Sequence, residues 1–168
     1  MKKIIALIVV CIMMFSFTGC EKKDDGNTLD IFYLNIDATA TVPEKYELKG
    51  SDESVDKQVD ELLDKLSSKP DDSKLRKTIP DDVEIKKHEE NAYSCTIDFS
   101  KSYYDMTAAE EVLMRASVVR TLTQLKQITY VMFTVDKAPL MNSDGEVIGS
   151  MNADDFVENP GEQINSSV

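Results

Sequence analysis

Two short runs of this sequence, Leu29 to Asn35 and Ile128 to Val135, carry apolar side chains at both odd and even positions. A strand sends successive side chains to opposite faces, so such runs need cover on both sides. Each therefore predicts a strand central in its sheet, and two helices can supply the cover. After Gly50, Ser51-Asp52-Glu53 reads as a serine-capped helix start with acids at the positive end of the dipole. Val55, Val59, Leu62, Leu63 and Leu66 then recur at the helical period on one stripe, and Lys69-Pro70 closes the segment. Thr107-Ala108-Ala109-Glu110 is a capping box that opens a second helix, running to about Leu125. This helix has one stripe of Ala109, Val112, Leu113, Ala116 and Val119, and beside it a second of Val118, Leu122 and Leu125. One stripe can pack on the sheet. The other needs the first helix or another molecule, which makes Val118, Leu122 and Leu125 the candidate partner surface.

Thr41 to Leu48 is more polar and contains Pro43, which suits an edge strand because proline cannot donate to a ladder. Residues 71 to 81 read as a polar connection. Val83 to His88 and Ala92 to Phe99 read as two strands around a Glu89-Glu90-Asn91 turn. Val147-Ile148 could add a short strand, and Gln163 to Val168 reads as a frayed end. The expected fold class is α+β: a two-layer sandwich in which two amphipathic helices pack on a small mixed β-sheet.

The N-terminus carries a different message. Lys2 and Lys3 precede an apolar run from Ile4 to Phe17, and Phe17-Thr18-Gly19-Cys20 follows. The run is shorter than the roughly 20 residues a membrane span needs. The order is that of a secretory signal, and its end resembles the lipobox of a bacterial lipoprotein, whose cysteine thiol takes up lipid. The expected organisation is a signal peptide over 1–19, then acylated Cys20 and a flexible tether over 20–28. A single domain over 29–158 and a disordered tail over 159–168 complete it. The protein would then be held by palmitate-type lipid on Cys20 at the extracytoplasmic face of the cell membrane. The chain carries a formal net charge of −12 at pH 7, and loss of the leader removes Lys2 and Lys3. Such a polyanion repels nucleic-acid phosphates and anionic headgroups, so nucleic acid is excluded and the membrane is reached through the lipid alone.

Reactive chemistry is sparse. Cys11 leaves with the leader and Cys20 is acylated, so Cys95 stands alone, with neither an internal disulfide nor a cysteine metal site available. Strand alternation places Cys95 on an apolar face with Tyr93, Ile97 and Phe99, as a buried thiol. His88, the sole histidine, follows Lys86-Lys87 near a strand end and reads as solvated. HExxH, CxxC and glycine-rich phosphate loops are all missing. Asn142-Ser143-Asp144-Gly145-Glu146 resembles the middle of a calcium loop, but Leu140 and Met151 would fall where carboxylates are required. A tight turn is the better reading. The pairs Asp71-Asp72, Asp81-Asp82 and Asp154-Asp155 sit in polar linkers, without the desolvation an acid catalyst needs. The expectation is a chain that is not an enzyme and takes neither cofactor nor metal.

One ordered series of segments runs through the whole domain. It begins with Phe32-Tyr33-Leu34 and Val42-Pro43-Glu44-Lys45-Tyr46, then Leu62-Leu63-Asp64-Lys65-Leu66 ahead of Pro70. It continues with Leu75, Ile79-Pro80-Asp81 and Thr96-Ile97-Asp98-Phe99-Ser100. It ends with Ser117 to Leu125 and Val131 to Val135-Asp136. Over roughly residues 29 to 158 this series resembles the GerMN domain, the sporulation and spore germination family. Lys126-Gln127 stands where that family often has proline-glycine, and Lys137 where it often has glycine. The resemblance implies a non-catalytic envelope module, commonly on lipoproteins, with a fold similar to ring-building domains of secretion-like and sporulation channels. With the lipobox, the missing chemistry and the spare apolar stripe, it points to a scaffold or adaptor that contacts another envelope protein or itself, and the family supplies no catalytic residues. The alternative is a ligand-binding lipoprotein that presents a small molecule or a cell-wall fragment.

Overall fold

The computed structural model describes residues 27–142 and 144–156. The leader, Cys20 and the 159–168 tail lie outside the described residues. Strand β1 (Thr28–Asn35) pairs antiparallel along its length with β2 (Thr41–Glu47). It starts inside the expected tether, and the Leu48 amide donates to the carbonyl of Asn27 at 2.9 Å. Helix α1 (Val55–Ser67) leads to the two-residue β3 (Leu75–Arg76), then to β4 (Ile85–Asn91) and β5 (Ser94–Phe99). Helix α2 (Ala108–Leu122), β6 (Tyr130–Val135) and β7 (Ala138–Pro139) complete the order, with 3-10 turns at Lys101–Asp105 and Ala153–Phe156.

The fold is α+β, but the strands form two sheets where one was expected. One is antiparallel, in the order β2-β1-β3, and the other is mixed, in the order β4-β5-β6-β7 with β5 and β6 parallel. The division follows from β1. In an antiparallel pair alternate residues turn their backbone groups to either side. At the side away from β2, β3 reaches only Leu34 and Asn35. Further back the backbone of β1 is met by side chains. The Phe32 amide donates to Thr121 Oγ1 at 3.1 Å, and Thr78 Oγ1 donates to the Phe32 carbonyl at 2.9 Å. The amide of Asp30 donates to Gln124 Oε1 at 2.9 Å, while Gln124 Nε2 donates to the Asp30 carbonyl at 2.7 Å. Side chains on and just past α2 thus occupy the place of a neighbouring strand, and the sheet stops there.

Both helices bear on β1, and each reaches the second sheet, α1 at β4 and α2 at β6. Val59, Leu62, Leu63 and Leu66 of α1 are buried, as their spacing requires. The serine cap is displaced: the N-cap is Ser54, and the Ser51–Glu53 turn is held by Gln58, whose Nε2 donates to the Ser51 and Glu53 carbonyls. The α2 capping box forms as read, between Thr107 and Glu110. Cys95, Ile97 and Phe99 of β5 lie in register with Val131, Phe133 and Val135 of β6, and all six are buried. On β6 the covered residues alternate with a half-buried Met132 and Thr134, so this strand has one full face rather than the two expected.

The hairpin turn falls at Ala92-Tyr93, beyond the expected Glu89-Glu90-Asn91, and β4 runs three residues past His88. Asn91 pairs with Ser94, Ala92 takes a left-handed φ of 54°, and Tyr93 sits at the tip, 68 % exposed. Tyr93 therefore does not share the apolar face of Cys95. Asp136 and Lys137 link β6 to β7 with φ of 49° and 66°, a two-residue turn with both central residues left-handed. Asn142 Oδ1 accepts from the amides of Asp144 and Glu146, and the Gly145 amide donates to the Asn142 carbonyl at 3.0 Å, contacts of a tight turn.

Candidate interaction site

Val118 and Leu122 are 0 % exposed and Leu125 is 5 % exposed, all inside the main core. The stripe read as a partner surface is therefore closed off in the folded chain. It belongs to one buried cluster with Ile31 and Tyr33 of β1, Leu62 and Leu66 of α1 and Val131 and Phe133 of β6, and the exposed part of α2 is the start of the other stripe. There Ala109 is exposed and Val112 is 47 % exposed, while Ala116 and Val119 are buried.

A concavity of about 780 Å³ opens where four segments converge. Leu34 at the end of β1, Leu75 of β3, Pro80 and Met106 give it apolar walls. Ser67, Lys69, Arg76, Lys77 and Thr78 bring polar groups, and Asp81, Asp82 and Glu110 stand at the rim. Lys77 is paired with Asp81, and Glu110 is committed to its capping box. Lys69 and Arg76 are exposed, so a chain that is strongly anionic overall shows cationic groups here. Residues 71 to 81, read as mere connection, build much of this cleft. A two-residue strand such as β3 leaves no periodicity from which to find it.

The other reactive candidates are structural. Cys95 is fully buried, and desolvation, then the neighbouring Glu90 carboxylate, pushes its thiol up to about 12. Its Sγ lies 3.9 Å from Glu90 Oε1. Asp98, in the matched strand motif, accepts from Thr134 Oγ1 and from the Lys137 amide, each at 2.7 Å, and so ties β5 to the turn after β6. Ser100 Oγ accepts from the Glu84 amide at 3.1 Å.

His88 departs from the sequence reading. Its side chain is 11 % exposed and lies between two carboxylates: Nδ1 is 2.7 Å from Glu90 Oε1, and Nε2 is 2.7 Å from Asp60 Oδ1. Burial alone would lower its pKa, but the hydrogen bonds to Asp60 and Glu90 outweigh burial and raise it. The ring was expected in solvent because Lys86-Lys87 precede it; docking of α1 over β4 encloses it instead. Among the described residues, the group with donor atoms close enough to hold a metal ion is Asp56, His88 and Glu90.

The model of the Germane family, described as sporulation and spore germination, matches residues 30–141. This chain belongs to that family. Three solved structures share the fold. The tandem GerMN domains of the Bacillus subtilis sporulation protein GerM align with a TM-score of 0.63 at 19 % identity, over 80 % of this chain and 49 % of that one. This Germane chain thus spans about half the length of the tandem structure. The first GerMN domain of the same protein aligns at a TM-score of 0.60 and 17 % identity, over 77 % of this chain and 98 % of that domain. A Clostridium perfringens protein assigned as a lipoprotein aligns at 0.52 and 15 % identity, over 76 % and 88 %. No curated protein matches the sequence. No helix among the described residues is long and apolar enough to cross a membrane.

Proposed function

We propose that this Germane-family chain is a non-catalytic, lipid-anchored envelope protein that acts as a scaffold or adaptor in sporulation or spore germination. The observation that carries the reading is the family match across residues 30–141, nearly the whole described domain. Cys20 receives the lipid, and the domain meets its partner, another envelope protein or a second copy, outside the cytoplasm. The buried Cys95 and the carboxylate-bound His88 support the absence of a nucleophile–base pair, since neither faces a substrate-sized opening together with the other. With Val118, Leu122 and Leu125 inside the core, the contact surface moves to the Lys69–Arg76 cleft and its rim.

The test has two arms. Metabolic labelling with an alkyne palmitate analogue marks the wild type and leaves Cys20→Ala unmarked; an unlabelled wild type refutes the anchor. Crosslinking in sporulating cells captures an envelope protein or a second copy, and capture falls in Lys69→Glu/Arg76→Glu. Unchanged capture in that variant excludes the cleft as the contact. A second reading is favoured by the same cleft, whose apolar walls and converging polar groups suit a small ligand. A small molecule that co-purifies with the wild type and is lost in the variant, with no crosslinked protein, would establish it.

A further inference from the structure

We infer that Asp56, His88 and Glu90 form a site for a divalent transition-metal cation, zinc being the best fit, at the junction of α1 and β4. One donor atom from each residue lies within 4.8 Å of the other two. Two periodicities bring them together. His88 and Glu90 are two apart on a strand and so share a face, whereas Asp56 and Asp60 are four apart on α1 and stack one turn above the other. The docking of α1 on β4 then sets the two rows against each other.

The local charge favours a cation. Asp56, Asp60 and Asp64 line a hollow of about 350 Å³ with His88, and Glu90 meets the ring at Nδ1. Lys86 and Lys87 also line this hollow, but each is paired with another acid, Lys86 with Asp136 and Lys87 with Glu89. One imidazole among several carboxylates is a donor set that zinc accepts, and three protein ligands leave a fourth tetrahedral position to water. The ring also has its orienting partner. With Nδ1 on the cation beside Glu90, the Nε2–H remains bonded to Asp60 at 2.7 Å, the carboxylate–imidazole–metal relay that fixes a metal-bound histidine. Coordination releases the Nδ1 proton to solvent. Zinc bonds of about 2.0–2.2 Å require the donors to close on one another. Asp56 is exposed, so no packed neighbour holds its carboxylate back from the other two. The bound ion pins the first helix to the second sheet, independently of which partner the domain serves.

The experiment uses the full chain, stripped with a chelator and titrated with Co²⁺, which is then displaced by Zn²⁺. The expected result is one equivalent bound, with the visible absorption of low-coordinate cobalt, and a rise in unfolding temperature with Zn²⁺. Asp56→Asn and His88→Gln each weaken binding more than about 100-fold, and Asp60→Asn about 10-fold. Asp64→Asn, which removes the same charge from the same hollow, changes affinity less than about threefold. The inference is overturned if the wild type shows no saturable single-equivalent binding. It also fails if Asp64→Asn costs as much as Asp56→Asn, which would mean charge attraction alone. Asp56 is exposed, so its variant decides the matter even if His88→Gln folds poorly.

Discussion

Glu61 is the most informative position for testing how α1 is fixed to the first sheet. Its Oε1 accepts from the Tyr46 hydroxyl at 2.6 Å and from the Lys49 amide at 2.8 Å, and its Oε2 accepts from the Gly50 amide at 2.8 Å. One carboxylate thus joins α1 to β2 and to the turn that follows it. In Glu61→Gln the amide offers one oxygen to three donors, so its NH₂ must face at least one N–H. A hydrogen bond to a charged acceptor contributes about 1.5–3 kcal/mol, and a donor left unmet costs about 1–3 kcal/mol. Because the site is only partly withdrawn from water, the expected loss is about 2 kcal/mol, or roughly 6 to 10 °C in a domain of this size. Burial by itself would raise the Glu61 carboxyl, but the bonds from Tyr46, Lys49 and Gly50 hold it below its usual value. A carboxyl depressed in the folded state adds stability above its unfolded pKa, and that stability is lost as pH falls through the folded value. Urea unfolding followed by circular dichroism should therefore show the full gap at pH 7 and a narrowing gap as pH drops below the ordinary glutamate range. Equal stability at pH 7, or a gap that ignores acid, would refute the reasoning.

Leu122→Ala should destabilise the domain by about 3–5 kcal/mol in the same assay, since the side chain is fully buried; a change under about 0.5 kcal/mol would restore it to the surface. Cys95, with its thiol pushed up to about 12, should resist alkylation at pH 8 in the folded protein and react readily in urea. Equal rates in both states would contradict its burial. Lys137→Gly should stabilise by about 0.5–1 kcal/mol, read as a higher melting temperature, because glycine accepts the left-handed φ of 66° without the cost a β-carbon brings. A lower melting temperature would mean that the turn is held by something other than backbone preference.

The local devices were readable. The Thr107–Glu110 box, the α1 stripe and the proline on edge strand β2 each depend on near neighbours in the chain, so spacing and residue type suffice. What eluded the sequence involved contacts between elements. Amphipathic spacing tells that Val118, Leu122 and Leu125 are covered, but does not say by what; α1 and the two sheets cover them. Asn91 looked like a turn residue, yet it is the last paired residue of β4, because the register of Cys95, Ile97 and Phe99 with β6 fixes where the hairpin must bend. His88 looked wet because its sequence neighbours are lysines, while its spatial neighbours are Asp60 and Glu90. The cleft was invisible because its lining comes from four distant segments.

Side-chain periodicity and capping chemistry alone determined that this chain makes two helices and several short strands, and the ordered motifs pointed to its family. Only the tertiary structure decided that the strands divide into two sheets. The backbone of β1 still had donors and acceptors to satisfy beyond β3, and Thr121, Gln124 and Thr78 met them before another strand could. The same docking set His88 of β4 against Asp60 of α1, two residues that the sequence had placed far apart.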